Sequence, residues 1–267
     1  MGTARLSFLL LFGSLLLGGC TPPDQTISIP FRTQYGGQPI ACDTGDGVAL
    51  TDFRIYVHNI RLRSSSGTHI DAKLAADSRW QSNEIALLDL EDGTGYCANG
   101  SAGTNNEVNV RVPPGEYEGM SFSVGVPAIL NHADPLLAQS PLNLTAMHWH
   151  WRSGYKFLRA GIRHNDLDFW LHLGSSRCRG TIGNIEGCES ANRVVVDLAE
   201  FRPGADAVVF DFARLFDFVS GTGEPVASCS SGPGEDACNV PFQALGLDVA
   251  SGEQLREPIV FAHESIQ

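Results

Sequence analysis

Residues 145–159 read T-A-M-H-W-H-W-R-S-G-Y-K-F-L-R and gather side chains suited to metal and redox chemistry. They hold two of the eight His, two of the four Trp, one of the three Met and one of only two Lys. Met147, His148, Trp149, His150 and Trp151 show no 3.6-residue period, and Trp and Tyr favour strands. Side chains of a strand alternate faces. His148 and His150 are therefore expected on one face, and Met147, Trp149 and Trp151 on the other. Imidazoles beside a thioether and oxidisable indoles point to a redox metal, above all copper. The same residue types also suit a plain core strand with Trp inside and His outside.

Two more histidines extend the set. His132 lies in the long connection 128–143, immediately before this stretch, and His172 lies on the strand after it. Adjacent antiparallel strands can bring two imidazoles to one ion, and two His with a weak third donor suit copper. His58 and His69 read as surface or hydrogen-bonded strand residues. Asp46, Asp89 and Asp92 are oxygen donors in turns, but no EF-hand spacing exists. The sequence has no G-x-S-x-G, H-E-x-x-H, Walker or dinucleotide-binding motif.

The elements that must position these residues are short strands. Alternation predicts strands over 26–32, 52–62, 69–74, 86–90, 108–112, 117–125, 166–173, 193–198 and 207–212. In 166–173, Phe169, Leu171 and Leu173 share one face, and Trp170 and His172 the other. One short helix is expected over 211–216, and loops over 99–106, 179–187 and 220–239. No βαβ alternation and no repeat appears. The fold class is all-β, an antiparallel β-sandwich or barrel-like fold with long loops and disulfides.

The chain has 267 residues and a net charge of −12, with 16 Arg among its 18 basic residues. Such acidity without a basic cluster argues against nucleic acid and against electrostatic docking on anionic lipid. Residues 1–19 read as a signal peptide: Arg5, a short apolar run, then L-G-G-C. This ending resembles a lipobox, with cleavage and lipidation at Cys20. Residues 20–26 form a tether and 27–267 a single domain, anchored to the membrane through lipid only. The expected location is the periplasm, on the outer membrane. No later segment is apolar for long enough to span a bilayer. Six cysteines remain, an even number that reads as disulfides in an exported chain. Proximity favours Cys178–Cys188 and Cys229–Cys238, leaving Cys42–Cys97, although six cysteines allow fifteen pairings.

Several stretches together carry a family resemblance: D-F-R-I-Y-V-H-N-I-R-L from Asp52, A-L-L-D-L-E-D-G-T-G-Y-C from Ala86 and V-G-V-P-A-I-L-N-H-A-D-P from Val124. S-P-L-N-L-T-A-M-H-W-H-W-R-S-G-Y-K-F from Ser140, H-L-G-S-S-R-C from His172 and C-E-S-A-N-R from Cys188 complete them. The chain resembles the MbnP-like family, the metallo-mystery pair four-Cys proteins. These are exported copper-binding proteins encoded beside a di-haem MauG-like or cytochrome c peroxidase-like enzyme.

The resemblance implies copper homeostasis rather than catalysis, with copper held by two His and a kynurenine made from Trp by the di-haem partner. The family motif falls on His132, Met147, Trp149, Trp151, Gly154, Tyr155, Lys156, Phe157 and His172. His132 and His172 are therefore the expected metal ligands, and Trp149 or Trp151 the modified residue. His148 and His150 occupy variable positions and are secondary candidates. The four family cysteines fall on Cys42, Cys97, Cys178 and Cys188, with Cys229 and Cys238 as an extra pair. Two other classes of function are a copper-dependent oxidoreductase and a metal-free structural or adhesive β-sandwich.

Overall fold

A computed structural model describes residues 22–44, 47–216, 228–232 and 234–266. The expected signal peptide, Cys20 and Asp46 lie outside the described residues. In chain order the strands are β1 (Gln25–Tyr35), β2 (Gln38–Pro39), β3 (Val48–Ser64), β4 (His69–Asp71), β5 (Lys73–Leu74) and β6 (Ala86–Asp89). Then follow β7 (Glu107–Val112), β8 (Tyr117–Val124), β9 (His148–His150), β10 (Gly154–His164), β11 (Leu167–Gly174), β12 (Ser176–Thr181), β13 (Asn184–Ser190), β14 (Val194–Leu198) and β15 (Asp206–Asp211). Short helices α1 (Phe212–Phe216) and α2 (Asn239–Ala244) precede the last strand, β16 (Phe261–Ser265).

The strands form an all-β sandwich. One sheet runs β16-β15-β1-β7-β5, with β2 on β1. The other runs β11-β10-β3-β8-β14, with β4 and β6 on β3 and β9 on β10. A separate hairpin pairs β12 with β13. Alternation sorts apolar residues inward. Ile29 and Phe31, Val108 and Val110, and Val208 and Phe210 come from the first sheet; Phe53, Ile55, Phe122, Leu158 and Leu171 come from the second, all buried. Edge-to-face or tilted aromatic pairs cross between the sheets: Phe31–Phe122 at 5.7 Å, Phe53–Phe210 at 4.9 Å and Phe122–Phe261 at 5.6 Å. Such pairs add about 0.5–1.5 kcal/mol each beyond their burial.

The three disulfides join Cys42–Cys97, Cys178–Cys188 and Cys229–Cys238, as proximity predicted. The fold departs from the sequence expectations in four places. β1 begins at Gln25, so the last two tether residues are already paired with Val112 and Arg111 of β7. β1 and β15 pair parallel rather than antiparallel, because β15 returns to the sheet from a distant part of the chain. The presumed loop 179–187 belongs to the β12–β13 hairpin, which keeps only Ile182 and Gly183 for its turn. The stretch 145–159 is not one strand: a 3-10 turn (Thr145–Met147) leads into β9, and residues 151–153 turn the chain back into β10. The cause is local hydrogen bonding described below.

Candidate metal centre

The turn between β9 and β10 is built by His150 and Gly154. His150 Nδ1 accepts the backbone N–H of Arg152 at 3.2 Å, and its Nε2 lies 3.0 Å from Ser153 Oγ. Both ring nitrogens therefore serve the turn. Gly154 has φ +76°, and a Cβ there would sit 2.2 Å from the carbonyl oxygen of Asn131. Only glycine fits this left-handed position against another backbone. The turn moves Trp151 out of the strand, so the expected shared face of Met147, Trp149 and Trp151 breaks up. Met147 is fully buried, whereas both indoles are half-buried.

His132 is drawn to this turn from the connection between β8 and β9. Its Nδ1 lies 3.1 Å from the carbonyl of Trp151, and its Nε2 lies 3.2 Å from Asn131 Nδ2. A carbonyl only accepts, so Nδ1 carries the proton and Nε2 presents a lone pair. A backbone carbonyl on one ring nitrogen orients metal-ligating histidines in this way; here the lone pair of Nε2 accepts the Asn131 Nδ2–H, a bond that an ion would displace. Asn131 is fully buried, and its Oδ1 accepts Tyr155 N–H at 3.1 Å. The connection is latched further by Tyr56 Oη to the carbonyl of Pro141 at 2.9 Å and by Tyr155 Oη to the carbonyl of Leu142 at 2.7 Å. Burial pulls the His132 pKa down, with Arg193 adding to this and the Trp151 hydrogen bond opposing it. Cys178 and Cys188 are the other potential metal ligands beside it. The nearest atoms of the three lie within 4.8 Å of one another.

His172 sits on the face of β11 opposite Phe169, Leu171 and Leu173, as alternation predicted. Its ring lies 4.6 Å from that of Trp170. Register places it beside Arg159 of β10, which in turn pairs with Arg54 of β3, itself opposite Asp89 of β6. One row of polar side chains therefore crosses four strands. Arg54 grips Asp52 with Nε and Nη2 at 3.1 and 2.9 Å, and Arg159 Nη2 reaches Asp52 Oδ2 at 2.5 Å. Burial, reinforced by the positive charges of Arg159 and Lys156, pushes the His172 pKa down to about 4. The imidazole is thus neutral and able to ligate at any pH above about 5.

Trp149 lies against the same face. A Cβ on Gly174 would stand 2.5 Å from Trp149 Cζ3, so the indole occupies the space over Gly174, two residues past His172. Lys156 Nζ lies 5.9 Å from the indole centroid and donates to the carbonyl of Ala146 at 2.8 Å. The Trp151 ring is covered instead by Arg152, at 4.9 Å. The two tryptophans therefore have different surroundings. Trp151 offers its carbonyl to His132, and the Trp149 indole fills the space over Gly174.

The remaining candidates have other surroundings. His148 packs edge-on to Tyr155 at 5.0 Å, and its buried Nε2 has no hydrogen-bond partner among the described residues. His58 Nε2 is likewise buried and unpartnered, and burial with Arg193 pushes its pKa to about 4. His69 is exposed at the start of β4. Asp89 is buried in the row beside Arg54, and Asp92 caps its own turn through Thr94, so neither reads as a calcium ligand. Sequence reasoning missed Asn131, Gly174 and the charged set of buried Asp52, Arg54 and Glu91 with half-buried Arg159. The one signal available was D-F-R at 52–54, two charges at i and i+2 on a strand whose other face is apolar.

A family model described as MbnP matches residues 24–231. Among solved structures, the chain is similar to MbnP from Methylosinus trichosporium. The TM-score is 0.78 at 23% identity, covering 91% of this chain and 99% of that one. At that identity the likeness shows the fold. None of the curated proteins compared with the chain matches it.

Proposed function

The chain belongs to the MbnP family, and from that premise we propose that it is a lipid-anchored periplasmic copper-binding protein of copper homeostasis, not an enzyme. The observation that carries this reading is the β9–β10 turn, which sets the Trp151 carbonyl on Nδ1 of His132. His132 would present Nε2 to the ion, its ring fixed by the Trp151 carbonyl, with the ion taking the place of the Asn131 Nδ2–H. His172 would present a neutral imidazole, kept so by burial and by Arg159 and Lys156. The donor set suits copper, which accepts neutral imidazole well. The bound ion would be the cargo of the protein.

Trp149 is the tryptophan we assign to oxidation, because its indole lies on the His172 face over Gly174. Opening it to kynurenine is a four-electron oxidation, and the electrons pass through the partner to peroxide. Four protons leave and two water oxygens enter to give N-formylkynurenine. Hydrolysis then releases the formyl carbon as formate, leaving an aromatic amine and a ketone as further donors. The di-haem partner would withdraw electrons from the half-buried ring after docking, so no substrate cleft is required. Cys20, when lipidated, would hold the protein at the outer membrane; Cys20→Ala then releases it, and full membrane retention of that variant removes the anchor.

The test is intact mass and copper content of protein made with and without the di-haem partner. The partner should confer both the mass change and tight copper binding, and Trp149→Phe should abolish the mass change while Trp151→Phe does not. His132→Ala and His172→Ala should each weaken copper by more than about 100-fold, since even an outer partner of a ligand is worth about 10–100-fold. His148→Ala and His150→Ala should have smaller effects. Full copper occupancy in unmodified protein, or in the His132/His172 double variant, overturns the assignment.

A further inference from the structure

We propose that the Cys178–Cys188 disulfide conceals a second metal site, in which His132 and the two freed thiolates hold one Cu(I) ion. Cys178 and Cys188 stand directly opposite each other in the β12–β13 register, so their sulfurs remain neighbours when the bond opens. His132 Nε2 lies 3.5 Å from Cys188 Sγ, and the three ligand atoms fall within 4.8 Å of one another. The His132 ring cannot turn away freely, because the Trp151 carbonyl holds Nδ1 on its far side.

Accessibility singles out this bridge. Cys42, Cys97, Cys229 and Cys238 are at most 2% exposed, whereas Cys178 is 8% exposed and Cys188 is only half-buried. A thiol reductant can reach Cys188 without unfolding the sandwich. Disulfide sulfur is a poor donor, so the site exists only after reduction by a dithiol. The S–S bond breaks, Cys178 and Cys188 each gain an electron and a proton, and the dithiol becomes a disulfide. Cu(I) then displaces the two thiol protons, and thiolate with imidazole is a soft set that favours Cu(I). This site goes beyond the copper centre proposed above: it shares only His132 with it and needs no kynurenine.

The experiment uses mature protein made without the di-haem partner, whose tryptophans are unmodified. It is reduced anaerobically with a dithiol under native conditions, desalted, and titrated with Cu(I) against a coloured Cu(I) chelator. Alkylation and peptide mass mapping locate the free thiols. Only Cys178 and Cys188 should be alkylated, Cu(I) should protect both, and the reduced protein should bind one more Cu(I) than the oxidised form. Cys178→Ser should weaken that ion by more than about 100-fold and His132→Ala by about 10-fold or more. The proposal fails if native reduction opens no bridge or all three together. It also fails if the reduced form binds no extra Cu(I), or if reduced His132→Ala binds it as tightly as the parent. Failure of the kynurenine-dependent centre would appear instead in oxidised protein made with the partner.

Discussion

Glu91→Gln tests the charge balance beneath the candidate site. Glu91 is 1% exposed, and neither of its carboxylate oxygens has a hydrogen bond among the described residues. Arg54 Nη1 forms an ion pair with Oε1 at 2.7 Å, while its Nε and Nη2 fork onto Asp52, so one guanidinium is shared between two carboxylates. The cluster thus sets three acids, Asp52, Asp89 and Glu91, against two guanidiniums, Arg54 and Arg159. A protonated Glu91 makes it neutral. Burial, then the negative charge of Asp52, outweighs Arg54 and raises the Glu91 pKa from 4.5 to about 8. The folded chain therefore holds a proton that the unfolded chain has released between these values, and stability falls as pH rises through the window. At about 1.4 kcal/mol per pH unit, the whole window amounts to about 5 kcal/mol, of which about 3 has been lost by pH 7. Glutamine carries no such titration. Chemical denaturation of the oxidised parent and of Glu91→Gln from pH 5 to 9 should show near-equal stability at pH 5. The variant should become the more stable of the two by about 3 kcal/mol at pH 7. An ionised Glu91 paired with Arg54 predicts the reverse, a variant that loses about 3–5 kcal/mol at neutral pH. That result, or a difference independent of pH, refutes the reasoning.

Gly174→Ala would place a Cβ 2.5 Å from Trp149 Cζ3 and 2.7 Å from the Tyr155 carbonyl oxygen, and the latter is backbone that cannot swing aside. Overpacking of this kind costs about 1–3 kcal/mol, so thermal unfolding should shift down and the Trp fluorescence should change; an unaltered melting curve contradicts the packing. Asn131→Ala removes the buried acceptor of Tyr155 N–H and the neighbour of His132 Nε2. Denaturant titration should show a loss of about 1–3 kcal/mol, and an unaltered transition contradicts the role given to this buried bond.

Much of this was legible in the chain itself. Period-2 alternation identified β11 and sorted Phe169, Leu171 and Leu173 from Trp170 and His172, because a strand's side-chain direction depends only on its own backbone. Cysteine spacing led to the three pairs for a similar reason: two of the bridges close short loops and leave the third by elimination. The choice of His132, Trp149, Trp151 and His172 rested on the family resemblance, not on any local pattern. What local pattern does not contain is register between distant strands and the path of the turns. The β9–β10 turn looked like continuous strand because His150 and Trp151 have strand-forming residue types. Its fate was decided by a carbonyl of Asn131 that admits only glycine at 154, and by His150 bonding to Arg152 and Ser153. The row of His172, Arg159, Arg54 and Asp89, buried at Arg54 and Asp89 and half-buried at the other two, comes from four strands up to 118 residues apart in sequence, from Arg54 to His172. Each member alone reads as an ordinary polar residue on a strand face. Their burial, and with it the neutral state of His172, exists only once the sheet has set them side by side.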